Sequence, residues 1–171
     1  MKVIAQLFFV LSILLFGGTA NSELHAQSDF KVTLLGTGAP GPSIDRFGPS
    51  TLVEAGNQKL LFDAGRGATI RLRQLNIPIS RLDRLFITHF HSDHVVGIPD
   101  LWLTGLLPAG GSRMQPFQIG GPTGTEALMS GPEQAYAADL KMRAAFGYPS
   151  AGWRFLFPNS PRMASLMRPV E

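Results

Sequence analysis

The sequence contains no cysteine, which excludes a disulfide framework, a thiolate nucleophile and any zinc site built on sulfur. Histidine is scarce too, and none follows His94. Charge is thin at 16% of 171 residues and never forms a run. Eleven of the 15 basic residues are arginines, spaced singly from Arg46 to Arg168, and a net charge of +3 is a weak footprint for a nucleic-acid binder. There is no internal repeat. The one long apolar run, Leu7 to Phe16, is shorter than the ~20 residues a membrane-spanning helix needs. It sits in "MKVIAQLFFVLSILLFGGTANSELHAQ", where a basic residue, an apolar stretch and small residues follow in the order of a secretory signal peptide. Cleavage is expected after Ala20 or Ala26. A cysteine-free exported chain fits a bacterial periplasm or exterior, so the mature protein is expected there, with no stable membrane association once residues 1–26 are removed.

With 44% apolar residues, the remainder is enough for one globular domain. "KVTLLG" reads as a first strand, and Gly36 to Pro49 is crowded with glycine and proline, as a loop requires. Two apolar runs flank Gly56-Asn57, a pair suited to the positive φ of a hairpin turn. "GATIRLRQL" predicts a short helix stopped by Asn76 and Pro78, and "RLFITH" a buried strand that delivers His89 at its end. Helical spacing returns from His94 to Leu107. "FQIG" is one more strand, and Thr125 to Phe146 a helix interrupted at Gly131-Pro132. Strands alternate with helices, so the class is α/β. Residues 147–171 keep no period and are expected to form a poorly ordered tail, against the other reading of a closing strand at Trp153 to Phe157.

The chemistry concentrates in "THFHSDHVVG". In an extended segment His89, His91 and Asp93 project to one side, and His94 joins them as the chain turns into the next helix. Imidazole and carboxylate are ligands for zinc, manganese or iron, and this spacing suits two divalent ions: His89 and His91 on one, Asp93 and His94 on the other. Two adjacent ions can lower the pKa of a shared water and brace the leaving oxygen of an ester. A chance match to His-x-His-x-Asp-His in a chain of this composition is on the order of one in ten thousand, which favours metal over an incidental histidine cluster. A dinucleotide fingerprint, Gly36-x-Gly38-x-x-Gly41 with Asp63 downstream, fails on its own terms. Its third glycine should open a helix, and Pro40, Pro42, Gly48 and Pro49 forbid one.

"THFHSDHVVG" is similar to the signature of the metallo-β-lactamase superfamily. "LLGTGAPGPSIDRFGPSTLVEAG", "LLFDAGRGATIRL" and "DLWLTGLLP" resemble its ribonuclease Z and arylsulfatase-like group, and "GGPTGTEALMSGPEQAYAADLKMR" fits the segment that usually follows. The resemblance spans about Lys31 to Arg143 and implies the amino-terminal half of an αββα sandwich, with a partial domain over residues 30–146. It also implies a metal-dependent hydrolase, usually with two zinc ions. Asp63, in the family's "DAG" position, would steady the ligand loop, or alternatively end a strand and cap the turn from Gly65 to Gly67. Asp93 would assist proton transfer while gripping its ion. "GPSIDRFGPS" looks nearer to the arylsulfatase-like members. The expected substrate is therefore a small anionic sulfate or phosphate ester, with nucleic acid not expected as a partner, because the leader directs the chain away from tRNA.

Two alternatives stand beside this reading: a ribonuclease Z-like phosphodiesterase, and a secreted remnant without catalysis. The second arises because relatives complete each ion with a later histidine, a bridging aspartate and a last histidine. Asp100 and Asp139 do not occupy those places. The chain by itself is thus expected to bind metal weakly, to turn over little, and to leave its inner sheet face open. Neither the ester nor the oligomeric state follows from the sequence.

Overall fold

The computed structural model describes residues 30–157. Six strands form one sheet in sequence order: β1 (Phe30–Gly36), β2 (Ser50–Ala55), β3 (Gln58–Phe62), β4 (Arg84–Phe86), β5 (Phe117–Gly120) and β6 (Phe155–Leu156). The first three run antiparallel, and β3 to β6 run parallel. Parallel neighbours need crossovers. These are α1 (Ala68–Gln74) between β3 and β4, α2 (Ser92–Val95) with α3 (Ile98–Leu106) between β4 and β5, and α4 (Thr125–Ala135) with α5 (Ala137–Ala145) between β5 and β6. Alternation along each strand decides what is buried. Leu35, Leu52, Leu61, Leu85, Phe117 and Ile119 meet Leu72 of α1, Ile98, Leu101 and Trp102 of α3, and Met129 of α4. On β1 the alternate side chains Val32 and Leu34 are 52% and 65% exposed, so the sheet face opposite the helices is uncovered there.

The hairpin forms where Gly56 takes φ 56°, and β2 pairs with β3 from Thr51↔Phe62 to Ala55↔Gln58. The helix expected from His94 to Leu107 is two helices. Gly97 lies against the 64–65 backbone, and Pro99 is accommodated in the first turn of α3. In the later helix the break falls at Tyr136; Pro132 lies inside α4 rather than at a break, which corrects the expected interruption.

The tail expectation is also corrected for residues 147–157. A 3₁₀ turn at Ser150–Trp153 leads into β6, whose Phe155 pairs with Phe117 and packs 4.7 Å, centroid to centroid, from the fully buried Trp102. An apolar cluster without period had a distant partner to fold against. Residues 1–29 and 158–171 lie outside the described residues, and with them the leader and the rest of the tail.

Arg113 closes the base of the sheet. Its Nη1 and Nη2 donate to the carbonyls of Leu82 and Ile79 at 3.1 and 2.7 Å, and its guanidinium stacks 4.2 Å over the Phe117 ring. Burial pushes this group down to about 10, with the nearby Asp83 charge opposing. At the far edge Glu54 accepts from Lys59 Nζ at 2.9 Å and pairs with Lys31 at 3.5 Å. The Lys59 hydrogen bond, foremost, holds its carboxyl below the usual value. Because the folded pKa is the lower one, this stabilisation is present above the unfolded value of 4.5 and is lost as pH falls through the folded value. Solvent screens the group. Glu54→Gln is therefore expected to cost no more than about 1 kcal/mol in urea melts at pH 7, with the difference from wild type vanishing at acid pH.

Candidate metal centre

The parallel order of β3, β4 and β5 brings their carboxyl ends to one edge of the sheet, and the histidine loop is assembled there. Asp63 follows β3 directly and takes a left-handed φ of 58°. Its N–H donates to the Phe86 carbonyl at 2.8 Å, and its own carbonyl accepts from Ser50 Oγ at 3.0 Å. Only 6% exposed, its carboxylate turns toward the segment after β4. Oδ1 accepts from Thr88 N–H, and Oδ2 from Thr88 Oγ1 and His94 Nδ1, all at 2.8 Å. Those bonds reach the histidine loop, and none caps the turn from Gly65 to Gly67.

Backbone contact fixes the loop from beneath. Ala64 N–H donates to the His94 carbonyl at 2.8 Å and Gly97 N–H to the Ala64 carbonyl at 2.9 Å, while Gly65 N–H donates to the Pro49 carbonyl at 2.9 Å. Three chain segments touch here without side chains between them. A Cβ on Gly65 would lie 2.6 Å from the Asp93 carbonyl oxygen, and one on Gly97 2.5 Å from the Gly65 oxygen.

Above this base the donors fall in two pairs. His89 Nε2 and His91 Nδ1 are 3.0 Å apart, and His94 Nε2 and Asp93 Oδ2 are 3.7 Å apart. A tetrahedral ion with arms of ~2.1 Å has an edge of ~3.4 Å, so both separations suit two ligands of one ion. The His89 and His94 rings lie 4.1 Å apart, which puts the pairs side by side. Among the described residues no three such side chains converge on one ion, so either pair alone falls short of the three protein ligands a catalytic ion usually has. His89, His91, Asp93 and His94 are thus brought together. Asp93 arrives through the helical turn of α2, not through the extended segment the alternation argument assumed, and it is 7% exposed while His91 is open to solvent.

Other acidic residues are engaged elsewhere: Asp100 accepts from Thr104 on α3, and Asp139 pairs with Arg143 on α5. Arg46 lines a cavity of about 260 Å³ with Arg71 and Phe47, and none of the four donors borders it. The loop after Gly36 leads into β2, not into a helix, which removes the dinucleotide reading. Thr88 directly precedes His89, yet nothing in the sequence marks its contact with Asp63, and the close-contact glycines resemble any turn glycine.

Residues 30–115 match the family model described as Anti-Pycsar protein Apyc1. The chain is similar to "Ribonuclease Z" of Mycobacterium marinum, 38% identical over 115 residues, covering 67% of this chain and 41% of that protein. Ribonuclease Z of Mycobacterium sp. (strain KMS) is 41% identical over 115 residues, with 67% and 40% covered. The crystal structure of the short form of human tRNase Z superposes with a TM-score of 0.56 at 28% identity, over 74% of this chain and 42% of that one. A long-form RNase Z from yeast superposes at 0.56 with 19% identity, over 80% of this chain and 19% of its own, and supports the fold alone. The chain spans about two fifths of the length of these curated relatives. Relatives named as ribonucleases overturn the expectation of a small anionic ester with nucleic acid not expected as a partner, and they favour the ribonuclease Z alternative over the arylsulfatase-like reading. Cation counting does not decide the partner, because a few placed side chains can contact a phosphodiester without a basic run.

Proposed function

The chain belongs to the metallo-β-lactamase-fold hydrolases of the ribonuclease Z branch and to the family described as Anti-Pycsar protein Apyc1, and from this we propose that it carries the metal-gripping part of a phosphodiesterase acting on RNA. The observation that carries the reading is the two donor pairs at the carboxyl edge of β3 and β4, tied by one buried aspartate. His89 Nε2 with His91 Nδ1 would hold one divalent ion, and Asp93 with His94 Nε2 a second, zinc being the metal this donor set suits. Bound there, the ions supply a Lewis acid for the phosphoryl oxygen and acidify water.

The chain's own residues supply the rest. Asp63 orients His94 from behind by accepting its Nδ1–H, which leaves Nε2 directed outward. Asp93 would offer Oδ2 to the ion, and its Oδ1, which makes no hydrogen bond among the described residues, would hold a proton for the scissile phosphate. Exposed His91 marks the side from which substrate enters. Two donors per ion leave two positions for solvent, substrate or other donors. Residues 1–26, with the order of a secretory leader, would export the chain, so the RNA would be met outside the cytosol.

The test uses the full-length chain. Zinc is titrated against a chromophoric chelator, and a 5′-labelled RNA carrying a 3′ trailer is offered beside nitrophenyl sulfate. Weak zinc uptake and slow RNA cleavage that EDTA abolishes, with no sulfate release, are expected, because each ion has only a pair of donors in this chain. Intact RNA and no zinc uptake would overturn the reading for this chain.

A further inference from the structure

We infer that Thr88 is a positioning residue whose hydroxyl decides which ring nitrogen of His89 carries its proton. The hydroxyl oxygen lies between two groups, Asp63 Oδ2 at 2.8 Å and His89 Nδ1 at 3.0 Å. A hydroxyl has one hydrogen, and an ionised carboxylate only accepts. The hydrogen therefore goes to Asp63, and Thr88 Oγ1 is left with lone pairs toward the imidazole. His89 Nδ1 must then donate, so the proton sits on Nδ1 and the lone pair on Nε2, the nitrogen 3.0 Å from His91 Nδ1.

Thr88 is locked in this place by its own backbone, whose N–H donates to Asp63 Oδ1 at 2.8 Å. Asp63 thus acts on both halves of the centre: directly on His94, and through one hydroxyl on His89. Groups behind a ligand histidine fix its tautomer and raise its basicity. The consequence for zinc affinity rests on the metal reading proposed above, but the tautomer itself does not.

The test compares the wild-type chain with Thr88→Val, which keeps the branched shape and loses the hydroxyl, and with Thr88→Ser, which keeps it. Two-bond ¹H–¹⁵N correlation spectra of the metal-free protein read the His89 tautomer, and chelator competition reads zinc affinity. Wild type and T88S are expected to show His89 protonated at Nδ1, with T88V losing that signature. Zinc affinity is expected to fall ~10–100-fold in T88V and to stay within ~3-fold in T88S. If T88V does not fold, Thr88→Ala takes its place, since it adds no bulk. A valine or alanine variant that keeps the Nδ1–H signature, or a serine variant that fails to restore it, overturns the inference. The expected tautomers without zinc uptake in any variant would uphold Thr88's role and sink the metal reading.

Discussion

Replacing Asp63 with alanine is expected to lower the free energy of unfolding by about 3–5 kcal/mol, and zinc affinity by ~100-fold. The carboxylate is 6% exposed and receives three donors, from Thr88 N–H, Thr88 Oγ1 and His94 Nδ1. Each bond to a charged group contributes about 1.5–3 kcal/mol, and deleting the shared acceptor strands partly buried donors rather than merely removing a contact. The backbone adds to the loss. Asp63 sits at φ 58°, a conformation aspartate and asparagine tolerate and alanine resists, at a cost of about 1 kcal/mol or more. Asp63→Asn keeps that tolerance and one acceptor oxygen, so it should recover roughly half of the stability but not the zinc affinity. Urea unfolding of the three proteins decides the matter; an alanine variant within about 1 kcal/mol of wild type would mean the carboxylate is not holding the loop.

Adding a single methyl group at Gly65 is expected to cost about 3 kcal/mol and to weaken zinc binding by at least ~10-fold. The added Cβ would lie 2.5 Å from the Gly48 carbonyl carbon, 2.6 Å from the Asp93 carbonyl oxygen and 2.7 Å from the Pro49 nitrogen. All three are backbone atoms, which cannot swing away as a long side chain can. Relief requires the 48–49 strand entry or the α2 turn to move, and the second displaces Asp93. Gly41→Ala is the control, since nothing lies within 4 Å of its added Cβ, and it should stay within ~0.5 kcal/mol of wild type in the same melts. Equal losses at the two positions would show that close approach is not what Gly65 provides.

The clustering of His89, His91, Asp93 and His94 was readable from sequence because six consecutive residues carry all four side chains wherever the chain places them. The hairpin was readable because Gly56 must take a positive φ, a purely local demand. What escaped depends on partners far along the chain. Phe155 becomes a strand residue only because Phe117 and Trp102 wait for it, and no period in residues 147–157 could announce that. Thr88 reads as an ordinary strand threonine until Asp63 is brought within 2.8 Å by the parallel pairing of β3 with β4. Pro132 stays helical although the sequence marks it as a breaker, and α4 ends three residues on, at Ala135. The substrate class lies further still from the residues, since sparse arginines neither exclude nor identify RNA.

The two main-chain bonds that join Ala64 to His94 and Gly97 to Ala64 stitch the histidine loop to the end of a central strand. The tie makes local opening of the loop and fraying of that strand end one event, so the amides of Ala64 and Gly97 are expected to exchange with solvent together, and later than those of the exposed residues 90–92.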